Sequence, residues 1–249
     1  MRNDNLRILI IGATSAIAEH LARKLAVRGA SLFLTGRDPV RLQAIAEDLR
    51  VRGASRVDTA LLDVADYDGL DHIVPKAADA LKGLDTVVFA AGMLPDRDLQ
   101  SLPGAELGRV MEINAVGAMT ALEGAATFFE KQRRGLIVAI GSVAGDRGRA
   151  VNYVYGAAKG ALEIFLSGLR QRLHAAGVRV LLVKPGFVDT PMTADFDKGP
   201  LWASPERVAR DIVHAMDSNC TVIYTPFYWR WIMLVIRLIP GPLFLRLRF

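Results

Sequence analysis

Seven short apolar runs punctuate the chain: LRILIIG, SLFLTG, VDTALLDV, LDTVVFAAG, GLIVAIGS, VRVLLVKPG and TVIYTP, with longer stretches of helical periodicity between them. A strand that reads as a continuous apolar run is buried on both faces. The intervening helices supply the cover, because right-handed crossovers place helices on both sides of one parallel sheet. The expectation is an α/β, doubly wound, parallel seven-stranded sheet. The 249 residues are 51% hydrophobic, enough for one large core, and no Ser/Gly/Pro-rich or charge-block linker or internal repeat interrupts them. Residues 1–225 therefore read as one domain, followed by an apolar, basic tail over 226–249.

In such sheets, ligands sit beyond the carboxyl ends of the strands. Polar and turn-forming residues gather there: Gly12, Asp63, Gly92, Ser142 and Pro185-Gly186 each follow directly on a predicted strand. The first of these turns, in IIGATSAIAEHLARKLAVRGA, puts Gly12 after strand one and Ser15 near a helix start. Free N–H groups and the helix dipole favour a pyrophosphate at that point. Ala16 and Ala18 stand where a dinucleotide fingerprint carries glycine, so an ordinary strand-turn-helix is the competing reading. With a dinucleotide, the arrangement is a Rossmann fold.

Strand two ends in LTGRDP. A free ribose 2′-OH usually meets an acid there; this chain has Gly36 and then Arg37, whose guanidinium suits a 2′-phosphate. NADP(H) is favoured over NAD(H). Asp38 keeps NAD(H) open if the alignment shifts by two positions, or else it caps the next helix.

Farther along, NYVYGAAKGAL places Tyr155 and Lys159 at i and i+4, on one face of a helix, while Tyr153 has no such partner. A phenol has a pKa of about 10, and a cation one turn away favours its ionised form. The pair can thus serve as a general acid/base, or it can simply pack and solvate.

With LDVAD at 62–66, INAVG at 113–117, GSVAG at 141–145, YGAAK at 155–159 and KPGFVDT at 184–190, the chain resembles the short-chain dehydrogenase/reductase family over about its first 225 residues. The resemblance implies that Tyr155 delivers a proton to a carbonyl oxygen. It also implies that Lys159 supports the phenol and holds ribose hydroxyls, that Ser142 bonds the substrate oxygen, and that Asn114 holds a water. Gly12, Thr14, Ser15, Ala16, Ile17, Arg37, Asp63, Val64, Ala91, Gly92, Pro185, Gly186, Val188 and Thr190 would join Tyr155 and Lys159 in contacting the cofactor. Taken singly, Ser142 also reads as a turn cap, Asn114 as a helix-interior residue and Asp63 as a helix cap. FAAG at 89–92 departs from the family, which places two amide side chains there, and leaves backbone groups to serve.

Net charge is +5. A basic surface fits nucleic acid, anionic lipid, a phosphorylated substrate or plain solvation; no nucleic-acid partner is expected. The start, MRNDNLRILIIG, is too polar and short for a secretory signal, and the single Cys220 permits no internal disulfide, so the expected location is the cytoplasm. His20, His72, His174 and His214 lie singly without metal-ligand spacing, and no metal is expected.

Substrate choice falls to MLPDRDLQ, DRGRAV and the lid-like TPMTADFDKGPLW. Arg147 and Arg149 either face an anionic group or are solvated. The end, FYWRWIMLVIRLIPGPLFLRLRF, carries four arginines and no acid. Its longest uncharged run is too short to span a bilayer, so it lies at a membrane surface, lines a groove for a lipid tail, or packs on a subunit interface. The tail and the 141–169 and 178–194 runs look like the branch of the family that reduces a polyprenyl-phosphate-linked 2-keto pentose. The expectation is an NAD(P)H-dependent ketone reductase, homo-oligomeric. The alternatives are a reductase of a small or acyl keto compound and a nucleotide-binding regulatory protein on the same fold.

Overall fold

A computed structural model describes residues 5–95 and 102–247. Part of the MLPDRDLQ loop, from residue 96 on, and the last two tail residues lie outside that range. The seven expected runs form seven strands: β1 Arg7–Ile11, β2 Ser31–Gly36, β3 Arg56–Leu61, β4 Thr86–Phe89, β5 Gly135–Ile140, β6 Val178–Pro185 and β7 Val222–Thr225. Every pairing is parallel, in the order β3-β2-β1-β4-β5-β6-β7. The doubly wound seven-stranded sheet is the one the sequence predicts.

Alternation along each strand divides the core in two. Ile8, Ile10, Leu32, Leu34 and Val88 meet helices α1 Ala16–Ala26, α2 Pro39–Val51 and the later Pro205–Met216 on one face. Leu9, Ile11, Phe33, Val87 and Phe89 meet α3 Tyr67–Leu81 and the helices Gly117–Gln132 and Tyr153–His174 on the other. A period of two with both sets apolar is what buries a parallel sheet between two helical layers.

In chain order the remaining helices are α4 Gly104–Met111, α5 Gly117–Gln132, α6 Tyr153–His174, α7 Pro205–Met216, α8 Trp229–Leu238 and α9 Gly241–Phe244. A π-helical turn, Glu112–Val116, joins α4 to α5. Strand order reverses between β1 and β4, which opens a crevice at the carboxyl edge of the sheet.

The tail folds back onto this edge. On α8, Trp229 and Met233 are buried against Val143, with Tyr224, Ile232 and Ile236 packed around them. No helix among the described residues is long and apolar enough to cross a membrane.

Candidate active site

Gly12 ends β1 with φ +83°, a left-handed conformation, and a Cβ there would lie 2.5 Å from the Ala91 nitrogen. Both conformation and close approach demand glycine. The segment after β4 can thus come up against the β1 turn and frame the crevice. Ser15 is the N-cap of α1, yet its side chain makes no capping bond. Its hydroxyl and the first-turn N–H groups of an eleven-residue helix remain for a phosphate. These features fit a dinucleotide pyrophosphate.

The crevice is a cavity of about 630 Å³. Gly12, Thr14, Ser15, Ala16 and Ile17 line it from the first turn; Arg37, Asp63 and Val64 from the ends of β2 and β3; Ala91 and Gly92 from β4. Ser142, Tyr155 and Lys159 line it from β5 and α6, and Pro185, Gly186, Val188 and Thr190 from β6. Asn114 does not line it. Its amide is spent elsewhere: Oδ1 accepts from the Met93 N–H at 3.2 Å, and Nδ2 donates to the Met93 and Val110 carbonyls at 2.9 and 3.0 Å. The Val110 bond is the i−4 contact of a helix-interior side chain, and the bonds to Met93 tie the π turn to the chain leaving β4.

At the nucleotide end, no carboxylate stands at the tip of β2. Asp38 is the N-cap of α2, accepting from the Arg41 N–H at 3.0 Å, so its carboxylate serves that helix. Arg37 is well exposed, its Nη1 4.0 Å from Asp63 Oδ2. Asp63 also accepts from the Ala65 N–H at 3.1 Å, closing its own turn, while Asp66 caps α3. Arg41, which sequence reading passed over, lines the cavity beside Arg37. The signal was Asp38: a cap there starts α2 at residue 39 and puts Arg41 in its first turn.

On the opposite wall, α6 is drawn tight against the turn Val143–Gly145. A Cβ on Gly156 would sit 2.8 Å from the Ala144 carbonyl oxygen, and one on Gly145 2.9 Å from the Gly160 nitrogen. That contact sets Tyr155 beside Ser142, whose Oγ accepts from the Ala144 N–H at 3.1 Å and hydrogen-bonds to the phenol. Burial pushes the Tyr155 phenol up to about 12, while the Ser142 bond pulls the other way. Lys159 is 4% exposed; burial lowers it to about 8. Its Nζ donates to the Ile140 carbonyl at 3.3 Å and lies 5.7 Å from the Tyr155 ring centre.

The expectation that Lys159 acidifies the phenol is therefore not met in the protein alone. Both groups are withdrawn from water, and desolvation outweighs their proximity.

The two arginines after Ser142 part company. Arg147 Nη1 donates to the Ile236 and Ile239 carbonyls, at 2.5 and 2.8 Å, and its guanidinium lies 3.7 Å over the Phe244 ring. It caps the end of α8 and does not line the cavity. Arg149 lines the cavity. Across the mouth, Phe187 stacks on Trp202 with ring centres 5.4 Å apart and meets Trp229 edge-on at 5.2 Å. Met192 and Phe196 of the lid-like segment line the same cavity.

Comparison with known proteins bears on this geometry. An uncharacterized oxidoreductase of Mycobacterium tuberculosis is 35% identical over 233 residues, 94% of this chain and 93% of the relative. Sulfoacetaldehyde reductase 2 of Chromohalobacter salexigens is 36% identical over 188 residues, 75% of this chain and 74% of that protein. Among solved structures, 3-oxoacyl-[acyl-carrier protein] reductase of Brucella melitensis superposes with TM-score 0.77 at 25% identity, covering 89% of this chain and 90% of that one. The family model described as short chain dehydrogenase matches residues 7–200, and the chain belongs to that family of NAD(P)-binding oxidoreductases.

Proposed function

We propose that the chain reduces a ketone to a secondary alcohol with NADP(H), using Tyr155 as the proton donor. The observation that carries this is the shared wall: Ser142, Tyr155 and Lys159 all face one cavity whose far end is built for a dinucleotide. Bound there, the nicotinamide cofactor supplies the hydride. A phenol at about 12 is protonated near neutrality and still a stronger acid than the alcohol being formed, so it can deliver its proton to the carbonyl oxygen as alkoxide charge develops there. Ser142 bonds the same oxygen and holds the phenol. Lys159, protonated below about 8, offers N–H donors to ribose hydroxyls. Asn114 positions the Gly92–Met93 backbone that floors the site. Tyr155→Phe should lower kcat by about 10²- to 10⁴-fold with cofactor binding retained; unchanged turnover would refute the assignment.

NADP(H) over NAD(H) is supported by Arg37 and Arg41 lining the cavity and by Asp38 being occupied as a cap. In Arg37→Ala/Arg41→Ala, NADPH should lose about 10- to 100-fold in affinity while NADH changes little. Equal losses for the two cofactors would count against the phosphate reading.

For the substrate, a polyprenyl-phosphate-linked keto pentose is supported by the tail. Phe227, Trp231, Leu234, Val235 and Leu238 form one exposed apolar stripe, 45–72% accessible, flanked by Arg230 and Arg237, in a tail whose sequence has no acid. Such a face suits an anionic bilayer at the cytoplasmic side. Truncation at 226 is a poor test, because Trp229 fills the space above Gly186. Trp231→Glu/Val235→Glu should instead abolish co-sedimentation with anionic vesicles; if it halves the particle mass and leaves lipid binding intact, a homo-oligomer interface is the correct occupant. A small anionic carbonyl compound is the second reading, favoured by the relative named sulfoacetaldehyde reductase 2.

A further inference from the structure

Among the described residues, four buried side-chain polar atoms lack a hydrogen-bond partner: Asp146 Oδ1, Arg149 Nε, Asn152 Oδ1 and Trp229 Nε1. A buried polar atom left unpaired is costly and rare, so each calls for an explanation. Asp146 Oδ1 is ion-paired with Lys184. Trp229 Nε1 backs onto Gly186 and does not line the cavity. The other two do line it, and they lie three residues apart on the turn that joins Ser142 to Tyr155.

That turn is closed by the Asn152 N–H donating to the Arg149 carbonyl at 3.1 Å. Asn152 is the N-cap of the 22-residue α6, a position where asparagine is preferred because its side chain bonds the first-turn N–H groups. Here it makes no such bond. Its φ of −158° and ψ of 34° leave the amide oxygen buried in the cavity wall and unused.

Arg149 is as unusual. It forms no ion pair among the described residues; burial holds its pKa below the ordinary arginine value, with Asp146 pulling the other way. Asp146 cannot neutralise it further, since Lys184 and the Tyr224 hydroxyl already hold that carboxylate. A guanidinium that stays charged, partly desolvated and unpaired is a site waiting for an anion. The cap-free N-terminus of α6 adds a favourable field for the same charge. Both groups belong to the catalytic half of the crevice, across the strand-order reversal from Arg37 and Arg41.

We infer that Arg149 and Asn152 form a substrate subsite that takes an anionic hydroxyketone, Arg149 binding an oxyanion of a phosphate, sulfonate or carboxylate and Asn152 accepting from a substrate hydroxyl. This rests on the ketone-reductase reading of the cavity and narrows its substrate class. Free sugar phosphates and prenyl-phosphate-linked ketoses share this chemistry. Arg147, two residues earlier, has no part in it, because it does not line the cavity and its Nη1 donates to the tail.

Two measurements on the full chain test the subsite. In the first, inorganic phosphate is titrated into protein saturated with NADP⁺, which occupies the nucleotide end. Wild type should bind phosphate, Arg149→Gln should weaken that binding by about tenfold or more, and Arg149→Lys should recover part of it. No binding to wild type, or equal binding to Arg149→Gln, overturns the proposal whatever the enzyme turns over. In the second, reduction of dihydroxyacetone phosphate is compared with that of dihydroxyacetone. The charged ketone should lead in kcat/KM, and Arg149→Gln should cut that lead by about 10- to 100-fold, through KM; equal losses on both ketones overturn it. Asn152→Ala should erase the preference for dihydroxyacetone phosphate over hydroxyacetone phosphate, which lacks only the hydroxyl, and an intact preference removes Asn152 from the subsite. A prenyl-phosphate-linked ketopentose in micelles forms the last arm: its rate relative to the free sugar phosphate assigns the anion to lipid or to solution. If wild type reduces no ketone at all, the reductase reading fails, and the phosphate titration still judges the subsite.

Discussion

Lys159 on α6 and Lys184 near the end of β6 are both buried, 4% and 1% exposed, yet they are treated in opposite ways. Lys184, on β6, is ion-paired with Asp146 and with Glu163 at 2.7 Å, and its ammonium lies 5.1 Å from the Tyr224 ring centre. Burial works against its charge, but the two carboxylates outweigh it and its pKa rises. Among the described residues Lys159 has one carbonyl, at 3.3 Å, and no carboxylate, so burial prevails and its pKa falls to about 8. The first lysine is fully satisfied by the fold. The second keeps donors that the fold does not use, on the wall of the cavity. Unsatisfied charge held in place by packing is the mark of a site adapted to a ligand at the expense of stability.

Replacing Lys184 should give the largest effect. Lys184→Met leaves the Asp146 carboxylate, whose side chain is 0% exposed, without its cation, a defect worth about 3–5 kcal/mol. For a chain of this length that lowers Tm by about 10 °C or more. Adding Asp146→Leu should recover part of the loss, because removing both members of a buried pair is far less harmful than removing one. Thermal unfolding of the two variants checks this. A Lys184→Met protein as stable as wild type would erase the contrast between the lysines.

How much of this the sequence disclosed depends on the range of the contacts involved. All seven strands were legible, since burial on both faces writes itself into continuous apolar runs. The alignment of Tyr155, Lys159 and Ser142 on one cavity was legible too, because Gly156 and Gly160 print the tight seat of α6 into the same short stretch. The fates of Arg147 and Arg149 were not. They are two residues apart on one loop, and what separates them is a tail returning from about ninety residues away to offer α8 carbonyls to the first. Asn114 is expected from the sequence to hold a water beside the lysine; its bonds to Met93 depend on a π turn that no local pattern announces. The upward shift of Tyr155 in the cofactor-free protein was not legible for a related reason: spacing gives the neighbour, and only the fold gives the desolvation.

Lys159→Met should act in the direction opposite to Lys184→Met. An unpaired buried ammonium destabilises the protein at neutral pH, and methionine of similar length fills the same space without charge. In the absence of cofactor, Tm should rise by several degrees, about 1–3 kcal/mol, while reductase activity is lost. A lower Tm would mean that the Ile140 contact is worth more than the burial it requires, and the two lysines would then differ in degree only.

The smallest effect concerns pH and separates the lysine from the tyrosine. The folded pKa of Lys159, about 8, lies below its ordinary 10.5, so between those values the unfolded chain binds more protons than the native one. Stability of the cofactor-free protein should therefore rise as pH increases from about 8 toward 10.5, with its slope reduced in Lys159→Met. Activity should move the other way. Tyr155, at about 12, stays protonated across the whole window and imposes no alkaline limb, whereas Lys159 loses a proton and with it the charge proposed to hold the ribose. The kcat/KM for ketone reduction, which reports groups in the free enzyme, should thus fall above about pH 8, by up to tenfold per unit. Lys159→Arg, charged throughout, should flatten that limb in whatever activity it retains. A limb that persists unchanged in Lys159→Arg would transfer the titration to another group and break the link between an unpaired ammonium and the chemistry beside it.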